Sequence, residues 1–262
     1  MDSQRRRRRP IVARHCPIVE GLARGLSVIE AFDVDHSRMS GSEVAVRTSL
    51  SRNAARRHLL MLCHHGYAQT DGKRFWLTPR VLRVGGRFHA ATRLPRIVQP
   101  SKENLSARTG ETVNVSVLDG HDVVYISRSN SPRLVSVGFY PGLRVQAHLV
   151  TPGVTLLAAL GDDALQRWIG EHVFTAFTSK TVTNPNEFVR HVRAARDLGY
   201  WIIEEHLGPA LLGVAMPLSD RRDTVVAAIG MTLQMNAWPR ERVISRWVPA
   251  LSHAALSLRT LL

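Results

Sequence analysis

The chain has 262 residues, 44% of them hydrophobic, enough to fill the core of one large domain or two modest ones. Its formal net charge of +14 is lopsided: residues 1–95 hold 18 Lys/Arg against 7 Asp/Glu, and the remainder 17 against 14. No uncharged apolar window of 18 residues, no apolar segment behind the N-terminal arginines and only two cysteines (Cys16 and Cys63) argue against a transmembrane helix, a signal peptide and a disulfide framework, and favour a cytoplasmic protein.

Residues 1–17 are rich in arginine, hold two prolines and lack an apolar period, so they are expected to form a disordered basic tail. Residues 22–32 place Leu22, Leu26 and Ile29 on one helical face. Ser40 followed three residues later by Glu43 is a capping-box signature for a second helix. A turn at Thr48, Ser49 and Leu50 leads to Ser51, which can cap a third helix over 52–64, stopped by Gly66. Two short β-prone runs around Asp71 and Gly72 read as a hairpin. Three helices and a hairpin in this order describe a winged helix-turn-helix over residues 18–78. Pro79 can start a further helix over 79–92, apolar along Val81, Leu82, Gly85 and Phe88. Pro95 and Pro100 then interrupt the chain, so 79–94 is read as a linker helix and 95–262 as a second domain.

That domain offers strands over 111–118, 122–129 and 134–139, helices over 152–160, 162–170 and 186–198, and strands over 200–205, 213–218 and 224–233. A long helix closes it, starting at Pro239. Runs of strands broken by helices predict an α+β fold with a curved, mainly antiparallel sheet flanked by helices.

The excess of basic residues at one end suits nucleic acid, since Lys and Arg displace the counterions condensed on phosphates. On a helical wheel of residues 52–63, Asn53, Arg56 and Arg57 cluster opposite Ala55, Leu59 and Leu62. The apolar group can anchor the helix. The polar group can enter a major groove, where Arg bonds guanine or phosphate and Asn bonds adenine. Ser51, Arg52 and the helix N-terminus suit a phosphate, and Lys73 and Arg74 at the hairpin tip suit the neighbouring backbone. An exposed basic helix with no such role is the plainer alternative.

Residues 23–33, 42–62 and 66–85 resemble the N-terminal domain of IclR-family bacterial transcriptional regulators, and the run DGKRFWLTPRVL is most similar to the PcaR, PcaU and PobR branch. The resemblance continues more loosely through 116–128, 136–148, 153–160 and 225–229. It implies a DNA-binding winged helix, a linker helix used in dimerisation, and a domain that cups a small effector, as a dimer or tetramer on double-stranded operator DNA. For this branch it implies an aromatic or dicarboxylic acid of β-ketoadipate metabolism. Carried over by position, it marks Thr151, Pro152 and Gly153 as an effector loop, Glu204 as an acidic strand end, and Gly213, Gly230 and Thr232 as cavity positions. Val154 stands where the family usually has Lys or Arg, Gly208, Pro209 and Ala210 replace a Glu-rich stretch, and Gly230 stands where Asn or Ser is usual. A constitutive regulator with an altered or lost pocket is therefore an alternative.

From the residues themselves, Arg128 could hold a ligand carboxylate or pair with Asp119 or Asp122. His148 could bond a phenol or carboxylate, or serve the core. Asn114 and Ser116 share one face of a strand. Asp162 is read as a helix cap. A small-molecule enzyme with a basic tail is the rival class, but no GxSxG, HExxH, P-loop or GxGxxG motif is present, so no catalytic residue and no cofactor is expected. Cys63, His64 and His65 are helical neighbours that point roughly 100° apart and cannot close on one metal ion.

Overall fold

The computed structural model describes residues 19–129 and 139–262. The expected tail over 1–17 and most of the strand expected over 134–139 lie outside them. The chain divides into two compact units, with the cut between Arg87 and Phe88.

In the first unit, helix α1 (Glu20–Glu30) buries Val28, and Ala31 just beyond it is also buried, whereas Leu22 and Leu26 remain 65% and 46% exposed. The Leu22, Leu26 and Ile29 face therefore does not build the core. It lines an open apolar groove with His58, Met61 and Leu62. A two-residue strand, β1 (Met39–Ser40), precedes α2 (Gly41–Thr48). The capping box is present: Glu43 N donates to Ser40 Oγ, and Ser40 N donates to Glu43 Oε2 at 2.6 Å. Ser40→Ala is expected to destabilise this unit by about 1 kcal/mol, read as a lower denaturant midpoint. A change below a few tenths would show that Glu43 alone suffices. Ser49 takes a left-handed conformation at φ 54° and turns the chain into α3 (Arg52–His64), capped by Ser51. Ala55 and Leu59, fully buried, pack α3 against Val28, Val44, Met39 and Phe75. Strands β2 (Ala68–Thr70) and β3 (Arg74–Leu77) form the hairpin, and β1 adds to it as a third antiparallel strand, unforeseen in the sequence.

After a 3₁₀ turn at Pro79–Val81, α4 (Leu82–Ala91) carries the chain across the cut. None of its residues is buried, and Leu82, Val84 and Phe88 are exposed. The chain breaks at residues 92–93, directly before Pro95, but Pro100 does not interrupt it. Residues Leu94–Thr109 form one helix, α5, with Pro95 in its first turn and Pro100 inside it.

The second unit is built on one six-stranded antiparallel sheet in the order β6-β5-β4-β9-β8-β7, curled into a half-barrel. Its strands are β4 (Val113–Asp119), β5 (Asp122–Arg128), β6 (Arg144–Gln146), β7 (Trp201–Glu204), β8 (Leu211–Ser219) and β9 (Val225–Gln234). The even positions of β8 (Leu212, Val214, Met216, Leu218) and the odd positions of β9 (Ala227, Ile229, Met231, Leu233) face α5 and the C-terminal helix, as period-2 burial requires. That closing helix is not continuous: α9 (Arg240–Arg242) passes through a π segment, Val243–Trp247, into α10 (Val248–Arg259). Lys102 of α5 is buried and donates to Gln99 Oε1, Ser127 Oγ and the Arg128 carbonyl, each at 2.7 Å. Burial lowers its pKa, and these three acceptors offset the cost of burying the ammonium.

Against the other face pack α6 (Thr151–Leu157), α7 (Asp162–Glu171) and α8 (Pro185–Leu198). Gly161, not Asp162, caps α7, and the Asp162 carboxylate accepts from Arg196 at 2.9 Å. This face of β8 and β9 carries Gly213, Ala215, Ala228 and Gly230, small enough for α6 to lie close: a Cβ at Gly213 would stand 2.2 Å from Thr151 Oγ1.

Candidate functional site

The first unit presents one basic surface. Ser51 Oγ accepts from Ala54 N at 3.2 Å, fixing where α3 begins. Arg52, Asn53, Arg56 and Arg57 are exposed along that helix, while Ala55 and Leu59 on its far side are fully buried. Anchoring and display are thus assigned to opposite faces, as the helical wheel predicts. In the wing, Asp71 Oδ1 accepts from Lys73 N at 2.9 Å and Arg74 N at 2.7 Å. Those backbone bonds hold the Asp71 carboxyl below its usual range and shape the tip, where Gly72 takes φ +95°. Lys73 and Arg74 are exposed there, and among the described residues no ion pair engages them or the three arginines of α3. Arg38, not singled out in the sequence, lies with its guanidinium 4.3 Å from the centre of the Trp76 ring of the wing. A charged hairpin followed by an aromatic is the signal that could have suggested such a cation–π partner.

The second unit encloses a cavity of about 40 Å³ open to water centres, several times the space one water needs. It lies where β4, β8 and β9 meet the start of α6. Thr151, Pro152, Gly213, Gly230 and Thr232 line it as expected, and Asn114 and Ser116 face it from β4. The rest of the wall is mainly apolar, including Tyr125, Phe139, Leu149 and Ile203. Tyr125 and Phe139 stack at 4.6 Å between ring centres. Burial pushes the Tyr125 phenol well above its normal range, so it stays protonated.

Four of the expected effector residues stand elsewhere. Gly153 packs α6 against the 3₁₀ turn Ala147–Leu149, where an added Cβ would lie 1.9 Å from the Ala147 carbonyl oxygen. It is a close-approach glycine and does not line the cavity. Glu204 ends β7 outside the cavity and faces Arg240 at 3.8 Å. Arg128 donates to the Phe139 carbonyl at 2.8 Å and is not among the lining residues. Asp119 and Asp122, offered as its alternative partners, pair with Arg144 at 2.6 and 3.1 Å. His148 is fully buried and serves the core: Nε2 contacts the Thr175 carbonyl at 2.9 Å and Nδ1 contacts His172 Nε2 at 2.8 Å. His172 reaches on to His121 at 3.2 Å. Burial first, then the neighbouring imidazoles, lower His172 to about 4, so His172 is neutral at physiological pH.

His206, which the sequence did not single out, lines the cavity instead. It is 8% exposed and its Nδ1 has no hydrogen-bond partner. Asn114 Oδ1, in the same wall, is likewise buried without one. Among the described residues no Lys or Arg lines this cavity. Val154 is buried in the apolar cluster beneath α6 and is not one of the residues that line the cavity.

Comparison with known proteins places both units. Residues 21–72 match the IclR helix-turn-helix domain and residues 89–260 match the bacterial transcriptional regulator IclR C-terminal domain. The chain is 32% identical to the Pca operon regulatory protein of Acinetobacter baylyi, covering 96% of this chain and 92% of that protein. It is 34% identical to the p-hydroxybenzoate hydroxylase transcriptional activator of the same organism, covering 93% and 92%. Among solved structures, a transcriptional regulator of Rhodococcus sp. RHA1 superposes with a TM-score of 0.80 at 35% identity, covering 92% of this chain and 97% of that one. A double mutant of the inducer-binding domain of PobR from Acinetobacter, in complex with 3-hydroxybenzoic acid, superposes with a TM-score of 0.61 at 28% identity, covering 64% and 98%. The DNA-reading unit and the cavity-bearing unit thus both match one group, and the chain belongs to the IclR family of bacterial transcriptional regulators.

Proposed function

We propose that this chain binds double-stranded operator DNA through Ser51, Arg52, Asn53, Arg56 and Arg57 of α3 and Lys73 and Arg74 of the wing, and that a small aromatic or dicarboxylic acid in the cavity controls it. The observation that carries the effector half is the cavity: a mostly apolar space whose wall holds two buried polar atoms without partners. Such atoms cost free energy when empty and reward a ligand that meets them. The double mutant of the PobR domain found in complex with 3-hydroxybenzoic acid has the same fold as this unit, which points to hydroxylated benzoic acids. The DNA half rests on basic side chains displayed opposite a buried anchor. The exposed Leu82, Val84 and Phe88 of α4, with the apolar groove of α1, suit self-association as a dimer or tetramer. Two winged helices then read half-sites roughly 34–36 Å apart or a multiple of that.

A thermal-shift screen with 4-hydroxybenzoate, protocatechuate and β-ketoadipate tests the effector half. Ligand at 100 times its dissociation constant stabilises the native state by about 2.7 kcal/mol, which raises the melting point by about 5–10 °C for a unit of this size. Failure of every aromatic and dicarboxylic acid to shift it would favour a regulator that acts without a ligand.

A further inference from the structure

From the two orphaned atoms we infer that the cavity takes a hydroxybenzoate in one orientation, with the hydroxyl on Asn114 and the carboxylate on His206, and that one proton joins His206 as the ligand enters. The inference rests on the effector reading given above and adds to it the ligand's orientation and the source of the charge that neutralises its carboxylate.

The chemistry of the wall decides the orientation. Asn114 Oδ1 can only accept a hydrogen bond, so the group beside it must donate. A hydroxybenzoate at neutral pH has one donor, its phenol, and one acceptor end, its carboxylate. The phenol therefore belongs on Asn114. The remaining orphan is His206 Nδ1. The neutral ring carries one proton for two nitrogens and no net charge, whereas the imidazolium offers an Nδ1–H together with the positive charge that a buried carboxylate needs. Among the described residues the wall has no Lys or Arg to supply the charge, so the imidazole must take a proton from solvent, giving an imidazolium–carboxylate pair.

The surroundings keep that proton away until the ligand arrives. Burial is the largest cause holding His206 down to about 4 in the empty cavity. The imidazoles of His191 on α8 and His148 on the 3₁₀ turn act in the same direction, while the nearby His148 backbone and Glu187 on α8 oppose them. Near pH 7 the empty site is neutral. A bound carboxylate favours the charged ring, so the pKa of His206 is higher in the complex than in the empty protein. Between those two values, binding takes up one proton and weakens by close to tenfold for each unit of rising pH. Above both values the dependence vanishes. Below about pH 5 the ligand's own carboxyl begins to protonate.

Isothermal titration calorimetry of the full-length protein with 4-hydroxybenzoate, between pH 5.5 and 7.5, in buffers of different ionisation enthalpy, tests this. The expected result is uptake approaching one proton and a dissociation constant that rises with pH. His206→Gln should weaken binding at pH 6 by at least tenfold and abolish both the uptake and the slope. Wild-type protein should prefer 4-hydroxybenzoate to benzoate by at least tenfold, and Asn114→Val should erase that preference. The wild-type proton uptake needs no variant, so it stands even if a substitution unfolds the unit. Tight binding without proton uptake, a pH slope that survives in His206→Gln, or an undiminished hydroxyl preference in Asn114→Val would overturn the inference while leaving the effector reading in place. A wild-type protein that binds none of the acids sinks the effector reading itself, and this inference with it.

Discussion

Replacing Arg56 and Arg57 together with alanine is expected to lower operator affinity by about a hundredfold or more. Each arginine that reads a base contributes about 1–3 kcal/mol, and two independent contacts nearly add. Neither side chain supports the fold. Both are exposed, and α3 is anchored from its other side by Ala55 and Leu59, so the melting temperature should not move. The pattern of loss separates two roles. An arginine on a base edge relaxes specificity at one position. One on a phosphate weakens all sequences alike and reduces the slope of log affinity against log salt by about 1. Basic residues elsewhere, including Lys73 and Arg74 of the wing, keep non-specific binding alive, so competitor DNA must be present. Fluorescence anisotropy of the native operator and a scrambled one, at three salt concentrations, reads both effects. Unchanged affinity in the double variant would show that α3 is not the reading helix.

The first unit was legible in the sequence because its signals are local. Capping residues Ser40 and Ser51, the left-handed turn at Ser49 and the Asp71–Gly72 tip each act within four residues. What escaped there was tertiary. The apolar period of α1 marked the helix but not its buried side: Val28 and Ala31 meet the core while Leu22 and Leu26 stay open. Strand β1 is two residues long and exists only through its partner β3. Pro100 looked like a break, since proline inside a helix costs about 3 kcal/mol. It lies on the exposed side of α5, and burial of Val98, Lys102 and Leu105 on the other side holds the helix through it. The cavity was half legible. The small residues of β8 and β9 and the Thr151–Pro152 turn could be placed by position. Nothing local distinguishes His206, which faces the cavity, from His148, which bonds to His172 and the Thr175 carbonyl. That choice is made by packing between segments far apart in the chain.

Gly153→Ala is expected to destabilise the second unit by about 1–2 kcal/mol, the overpacking cost less the helix-propensity gain, and to abolish effector binding. Two effects compete. Inside α6 an alanine gains roughly 1 kcal/mol over glycine in helix propensity. Against that, the new Cβ would lie 1.9 Å from the Ala147 oxygen, 2.6 Å from its carbonyl carbon and 2.7 Å from its Cα. All three are backbone atoms, so no side-chain rotation relieves the overlap, and overpacking of this kind costs about 1–3 kcal/mol and occasionally more. Backing α6 away would move Thr151 off Gly213 and Pro152 out of the cavity wall. The effector site therefore suffers even where the chain still folds. Gly86→Ala in α4 is the matched control: no atom lies within 4 Å of its added Cβ, and the same substitution there should stabilise by about 0.4–1 kcal/mol. Urea titration followed by circular dichroism compares the two. An unchanged midpoint for Gly153→Ala, with effector binding retained, would mean that α6 and the Ala147 turn do not sit this close in solution.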